Sequence, residues 1–187
     1  GRRKRAAIAR QKLGDALAAE DWPQAAIDRH LERGPDGYFL SIDHDALVRQ
    51  ARIVRDAESR EAELTLETRV DEGRAVTEVT IYCVDHPGLF ARLTGALAVA
   101  GASIVDAKIA TLNNGMALDL FLIQDADGGA FGRPDKLAKL SVLVDRALTG
   151  ALKPAEELAG RAAKGPAKRT QVFSVAPRVI IDNKASN

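Results

Sequence analysis

Asp85-His86-Pro87-Gly88-Leu89 is the stretch of this sequence best suited to holding a small charged molecule. Pro87 fixes a turn, and Gly88 lets another group come close to the backbone. If a helix follows, the free N–H groups of its first turn point out of the loop, and a helix N-terminus attracts carboxylates. The carboxylate of an α-amino acid suits that position, with Asp85 facing the ammonium. The same five residues also read as a plain strand-to-helix turn with Asp as cap. His44-Asp45 spells a pair used by metal-dependent phosphohydrolases, but such sites need several separated His and Asp ligands. Only His30, His44 and His86 exist here. Asp43 or Asp45 as a helix cap is the simpler reading. No His/Cys cluster has zinc-ligand spacing. The single cysteine, Cys83, falls on the core side of a strand by parity and reads as packing. No Walker A loop occurs, Gly128, Gly129 and Gly132 lack dinucleotide-binding spacing, and no serine sits in a nucleophile elbow. No catalytic constellation is found, and no cofactor is expected for this chain.

Composition narrows the classes further. The chain has 187 residues, enough for one ordinary domain and a smaller unit. Lys and Arg number 27 against 26 Asp and Glu, so no whole-chain field favours nucleic acid or an anionic membrane. Residues 2–5 and 164–169 are basic, as solvated charge runs often are. One cysteine permits no internal disulfide, which fits a reducing cytosol and a cytoplasmic setting. No apolar run approaches the roughly 20 residues that span a bilayer. The basic start lacks a signal-peptide core, because Gln11, Lys12, Asp15 and Glu20 interrupt it. The opening inside a helical pattern reads as a fragment.

The elements that must position the loop follow from periodicity. Residues 2–20 read as a helix. Asp21 and Gln24 spell a capping box around Pro23 for a second helix that carries Ile27 and Leu31 and ends at Gly34-Pro35. Tyr38 to Ile42 is a strand candidate. Asp43 caps a third helix with Leu47, Ala51 and Val54 inward. This N-terminal third has few large apolar residues and must lean on the following domain or on one upstream. The period changes near Ala62. Strands at 64–70 and 75–84 flank a turn at 71–74, and a helix over 88–100 is stopped by Gly101. Strands at 103–112 and 116–124 flank Asn114-Gly115. Pro134 opens a helix with Leu137, Leu140, Val144 and Leu148 inward. A weaker helix covers 154–163, and a last β-like stretch covers 171–181. From residue 76 the order is β-α-β-β-α-β, the split βαβ of a ferredoxin-like α+β fold with an antiparallel sheet and two helices on one face. Residues 1–60 form a helical linker segment and residues 61–187 the domain.

A two-residue turn at Asn114-Gly115 puts Val105, Ala107, Ile109 and Thr111 on the helix-covered face with Leu118, Leu120 and Leu122. It leaves Asp106, Lys108 and Ala110 on the open face against Asp119, Phe121 and Ile123. That face is mixed, and an open face carrying Phe121 and Ile123 takes a partner, a ligand or the helices at 2–58. RNA-binding domains share the strand order and stack bases on central-strand aromatics. Here only Tyr82 and Phe121 are available, and Asp106 and Asp119 repel phosphate. Nucleic acid is therefore not expected.

The runs Thr77 to Tyr82, Asp85 to Phe90 and Gly101 to Ala107 resemble an ACT domain. Gly115-Met116-Ala117-Leu118-Asp119, then Gln124-Asp125-Ala126 and the tail Pro177 to Asn187, resemble the first of two ACT domains in the protein-PII uridylyltransferase/uridylyl-removing enzymes. The resemblance covers about residues 20–187. It implies that residues 1–60 lie downstream of an HD domain and that a second ACT domain follows. The parent is implied to use magnesium and UTP to add UMP to PII, to remove it when glutamine is high, and to sense glutamine through the ACT pair. It places the effector where the loop of Asp85, His86, Pro87, Gly88 and Leu89 meets a strand equivalent to Ser103, Ile104 and Val105 in another ACT domain. Ser103 stands where many ACT domains have Asn. The alternative is an ACT pairing module with no ligand of its own, as in a homodimer.

Overall fold

Alternating apolar residues on both sides of Asp71-Glu72-Gly73-Arg74 fold back as a hairpin, β1 (Leu64–Asp71) and β2 (Val76–Val84). The computed structural model describes residues 1–163. The β-like stretch expected at 171–181, the basic run from Lys164 and the tail from Pro177 lie outside them. After β2 come α5 (Leu89–Val99), β3 (Ser103–Thr111), β4 (Met116–Gln124), α6 (Pro134–Leu148) and α7 (Pro154–Ala163). Four helices precede the sheet: α1 (Arg2–Ala19), α2 (Gln24–Arg33), α3 (Asp36–Ser41) and α4 (His44–Ser59). The sheet is antiparallel in the order β1-β2-β4-β3. β4 thus separates β2 from β3, as a split βαβ requires, and β1 occupies the edge beside β2. The fold is the expected ferredoxin-like α+β class.

Leucines at helical spacing hold α5 on the sheet. Leu89, Leu93, Leu97, Leu140 and Val144 pack with Val79, Ile81, Cys83, Ala107, Ala117, Phe121, Ile123 and Phe131 in one cluster. Gly101, at φ +85°, ends α5: its N–H reaches Ala98 O and that of Ala102 reaches Leu97 O. These are the two bonds of a Schellman cap.

The β3–β4 register differs by one residue from that of a two-residue turn. The connection is a three-residue loop, Asn113-Asn114-Gly115. Leu112 N–H bonds Met116 O at 2.8 Å, Gly115 N–H bonds Leu112 O at 3.0 Å, and Gly115 has φ +81°. A type I turn followed by a left-handed residue produces such a loop. The extra residue exchanges the faces of β4. Ala107 pairs with Phe121 and Ile109 with Asp119, and Phe121 and Ile123 are buried under α5 and α6. Leu118 and Leu120 turn to the other face with Ala110. The expected open-face Phe121 is therefore a core residue. A bulge at Val105, between Ile104 and Asp106, restores Ile104 to the helix side.

The other face is covered by the N-terminal helices. Leu13, Leu17, Ile27, Tyr38, Phe39, Leu47, Ala51 and Val54 pack with Tyr82, Ala110, Leu112, Leu118 and Leu120. The N-terminal third leans on the following sheet. Glu78, buried on β2, accepts two bonds from Arg49 of α4, at 3.0 and 3.1 Å, and ties that helix to the sheet.

Two local expectations change. Residues 36–41 are helical rather than extended, because Tyr38 and Phe39 are both buried beneath Arg10 and α4. The Arg10 guanidinium lies 4.4 Å from the Phe39 ring centroid, and Tyr38 Oη donates to Gln50 Oε1 at 2.9 Å. Burial of adjacent aromatics outweighs their strand preference. Asp21 is not a helix cap. It has φ +62° and closes α1, with Asp21 N–H on Ala18 O and Trp22 N–H on Leu17 O. Asp43 does cap α4, accepting from Ala46 N–H at 2.9 Å.

Candidate functional site

Asp85 leaves the end of β2, and its backbone N–H bonds Gly115 O at 3.0 Å. Its carboxylate accepts from Thr111 Oγ1 at 2.6 Å, bridging the loop to the end of β3. His86 Nδ1 lies 3.0 Å from Pro87 O, and Leu89 N–H closes the turn on His86 O. Gly88, at φ +85°, precedes α5, and no side chain caps this helix. Leu89 N–H is thus taken, and no side chain accepts from the amides that follow it, next to a loop surface where Asp85, Pro87 and Gly88 are exposed. Leu89 is buried and pins the turn to the core.

Gly88 holds a conformation that costs an L-residue about 1 kcal/mol. A Cβ there meets nothing within 4 Å, so the cost is backbone strain alone. Gly88→Ala is expected to lower Tm by roughly 3 °C in a circular-dichroism melt. An unchanged Tm would show that the loop relaxes without loss.

The second expected group stands elsewhere. Ser103, Ile104 and Val105 open β3, paired with Gln124 and Ile123, whereas the loop sits by Thr111 at its other end. Eight residue steps along β3 take Ser103 to Thr111, roughly 25 Å. Within one chain the two groups do not meet. Ser103 and Val105 are half-buried, and Ile104 is core.

The β4 register brings a further polar residue to the loop's side of the sheet. On the helix-covered face the rows run Leu64, Cys83, Ala117, Thr111, and then Leu66, Ile81, Asp119, Ile109. Asp119 is 1% exposed, and its Oδ1 has no hydrogen-bond partner among the described residues. Burial raises its carboxyl to about 7, against the pull of the Ala110 backbone N–H and with Asp85 adding to the rise. Burial, then Asp119 and Asp85, push the Cys83 thiol up to about 12, so it stays neutral and unreactive. The one available signal was a carboxylate inside an apolar strand, which the two-residue register assigned to the open face.

His44, beside the Asp43 cap, has no metal-ligand companions: among the described residues no group of three or more His, Cys, Asp or Glu is placed to hold a metal ion. No described helix is long and apolar enough to cross a membrane.

The split βαβ sheet, with its uncapped helix after an Asp-x-Pro-Gly-Leu loop, is that of an ACT domain, and the ACT domain family profile matches residues 79–141. The whole chain is 54% identical to a bifunctional uridylyltransferase/uridylyl-removing enzyme of Azospirillum brasilense, covering 20% of that protein. It is 44% identical over 88% of its length to the enzyme of that name from Gluconobacter oxydans, covering 17% of it. It is 42% identical over 99% of its length to that of Rhodospirillum rubrum, covering 19%. The chain belongs to the bifunctional uridylyltransferase/uridylyl-removing enzyme family and spans about a fifth of the length of the curated relatives it matches.

Proposed function

We propose that this chain is a glutamine-sensing regulatory segment of a cytoplasmic enzyme that adds UMP to, and removes it from, the PII signalling protein. The observation that carries the reading is the uncapped N-terminus of α5 behind a loop that exposes Asp85, Pro87 and Gly88, in an ACT domain of this family. Glutamine's carboxylate docks on the first-turn amides, and Asp85 faces its ammonium. Ser103 to Val105 of another ACT domain close the site. Glutamine then favours one arrangement of the domains and shifts the parent from transfer to removal, by as much as its affinities for the two arrangements differ. Magnesium and UTP serve the catalytic part of the parent, outside this chain's residues.

Calorimetric titration of the chain with glutamine, with glutamate as control, tests this. Saturable binding of glutamine alone is expected, and Asp85→Ala is expected to weaken it about tenfold, or ~1.4 kcal/mol. Undiminished affinity in that variant removes Asp85 from the ammonium site. A second reading, ACT pairing without a ligand, is favoured by β3, an edge strand with one side of its backbone unpaired by the described strands. It predicts a dimer in light scattering and no glutamine heat.

A further inference from the structure

The orphaned Asp119 oxygen lies on the helix-covered face, in the half of β4 nearer the loop. Asp85 reaches Thr111 Oγ1, and Thr111 stands level with Ala117. Asp119 is two residues further along β4 on the same side, about 7 Å deeper. Ala117, between them, carries the smallest side chain of its row, beside Cys83 and Thr111. Beside Asp119 in its row stand Ile81 and Ile109, which offer no hydrogen-bond donor from their side chains. A carboxyl without a donor for one oxygen, closed among apolar side chains, is costly to the fold. A group kept at that cost is a candidate for binding.

We propose that Asp119 determines ligand choice in this domain, accepting a hydrogen bond from the side-chain amide of a bound amino acid whose ammonium is held at Asp85. The inference rests on the amino-acid-sensing reading above. A ligand with its carboxylate on the first turn of α5 and its ammonium at Asp85 directs its side chain over Ala117. A short extended side chain ending in a carboxamide then brings an N–H to Asp119 Oδ1. Above about pH 7, where the Asp119 carboxyl is ionised, a side chain ending in a carboxylate brings like charge to the same place and is rejected. The site therefore separates glutamine from glutamate by donor against acceptor, a difference that polar sites enforce far better than size. Asp119 is closed to solvent, so the amide reaches it only as the first turn of α5 lifts from the sheet.

The test is calorimetry of the whole chain with glutamine and with glutamate, for the wild type, Asp119→Asn and Asp119→Ser. At pH 8, with the carboxyl ionised, the wild type is expected to prefer glutamine at least 100-fold. Asp119→Asn, whose amide donates to a carboxylate, is expected to bring the two ligands within tenfold. Asp119→Ser is expected to weaken glutamine at least tenfold with unchanged far-UV circular dichroism, and it carries the test if the Asn variant does not fold. A wild-type preference retained in a folded variant overturns the role of Asp119 and leaves the sensing function intact. Failure of the wild type to bind glutamine overturns both.

Discussion

Phe121→Ala is expected to cost about 3–5 kcal/mol, and Phe121→Asp to prevent folding altogether. Phe121 is fully buried, and its ring stacks on Phe90 with centroids 6.2 Å apart and planes 22° from parallel. It is held between the central strands and α5, so truncation leaves a void that the sheet cannot collapse to fill. The aspartate adds an unpaired charge in an apolar site, a larger penalty than the void. Its neighbour Leu122 faces the other way and is only half-buried. Leu122→Ala is expected to cost about 1 kcal/mol. Urea unfolding followed by circular dichroism reads all three variants. The order is diagnostic of the register: a two-residue Asn114-Gly115 turn makes Leu122 the core residue and inverts the two alanine results. Inversion would refute the three-residue loop.

That inversion shows where local sequence stops determining structure. Element positions were legible because the signals are local and strong: Pro134 at a helix start, Gly101 after the α5 leucines, and β-like runs around Asn114-Gly115. The parity of β4 was not, since two- and three-residue hairpins share the Asn-Gly signal and differ only in whether Asn113 belongs to the turn. Phe121 and Leu120 are both apolar, so neither parity looks wrong by itself. The helical state of residues 36–41 was hidden for a related reason. Tyr38 and Phe39 satisfy a strand pattern locally, and only Gln50, Arg10 and the sheet beyond them make the helix the better burial. The Asp85-to-Leu89 loop was legible as a motif, because Gly88 has to be left-handed and Pro87 has to turn. Asp119 was not. Its meaning depends on which face it takes, and that depends on the hairpin.

Stability of the wild type relative to Asp119→Asn is expected to fall as pH rises from about 4 to about 7. The folded carboxyl titrates near 7, raised by burial from an ordinary value of 3.8. Between those values the folded chain holds a proton that the unfolded chain has lost. Stability therefore decreases with rising pH across this window, and the full penalty is present above it. A rise of that size corresponds to a few kcal/mol, so the difference in unfolding free energy between variant and wild type is expected to grow by about 2–4 kcal/mol from pH 4.5 to pH 8. His30 moves the other way. Burial, with Arg33 adding and Glu58 opposing, lowers it to about 4 from 6.5, so it removes stability as pH falls below 6.5. It is present in both proteins and cancels in the difference, which makes the comparison cleaner than either pH profile alone. The absolute level also depends on how the asparagine amide is accommodated, so the slope is the decisive quantity. Parallel urea-unfolding profiles at pH 4.5, 6 and 8 would mean that Asp119 is already satisfied in solution. A slope of the expected sign shows that the fold carries an unpaired carboxyl at neutral pH, and a donor supplied by a ligand at that oxygen then favours its charged form.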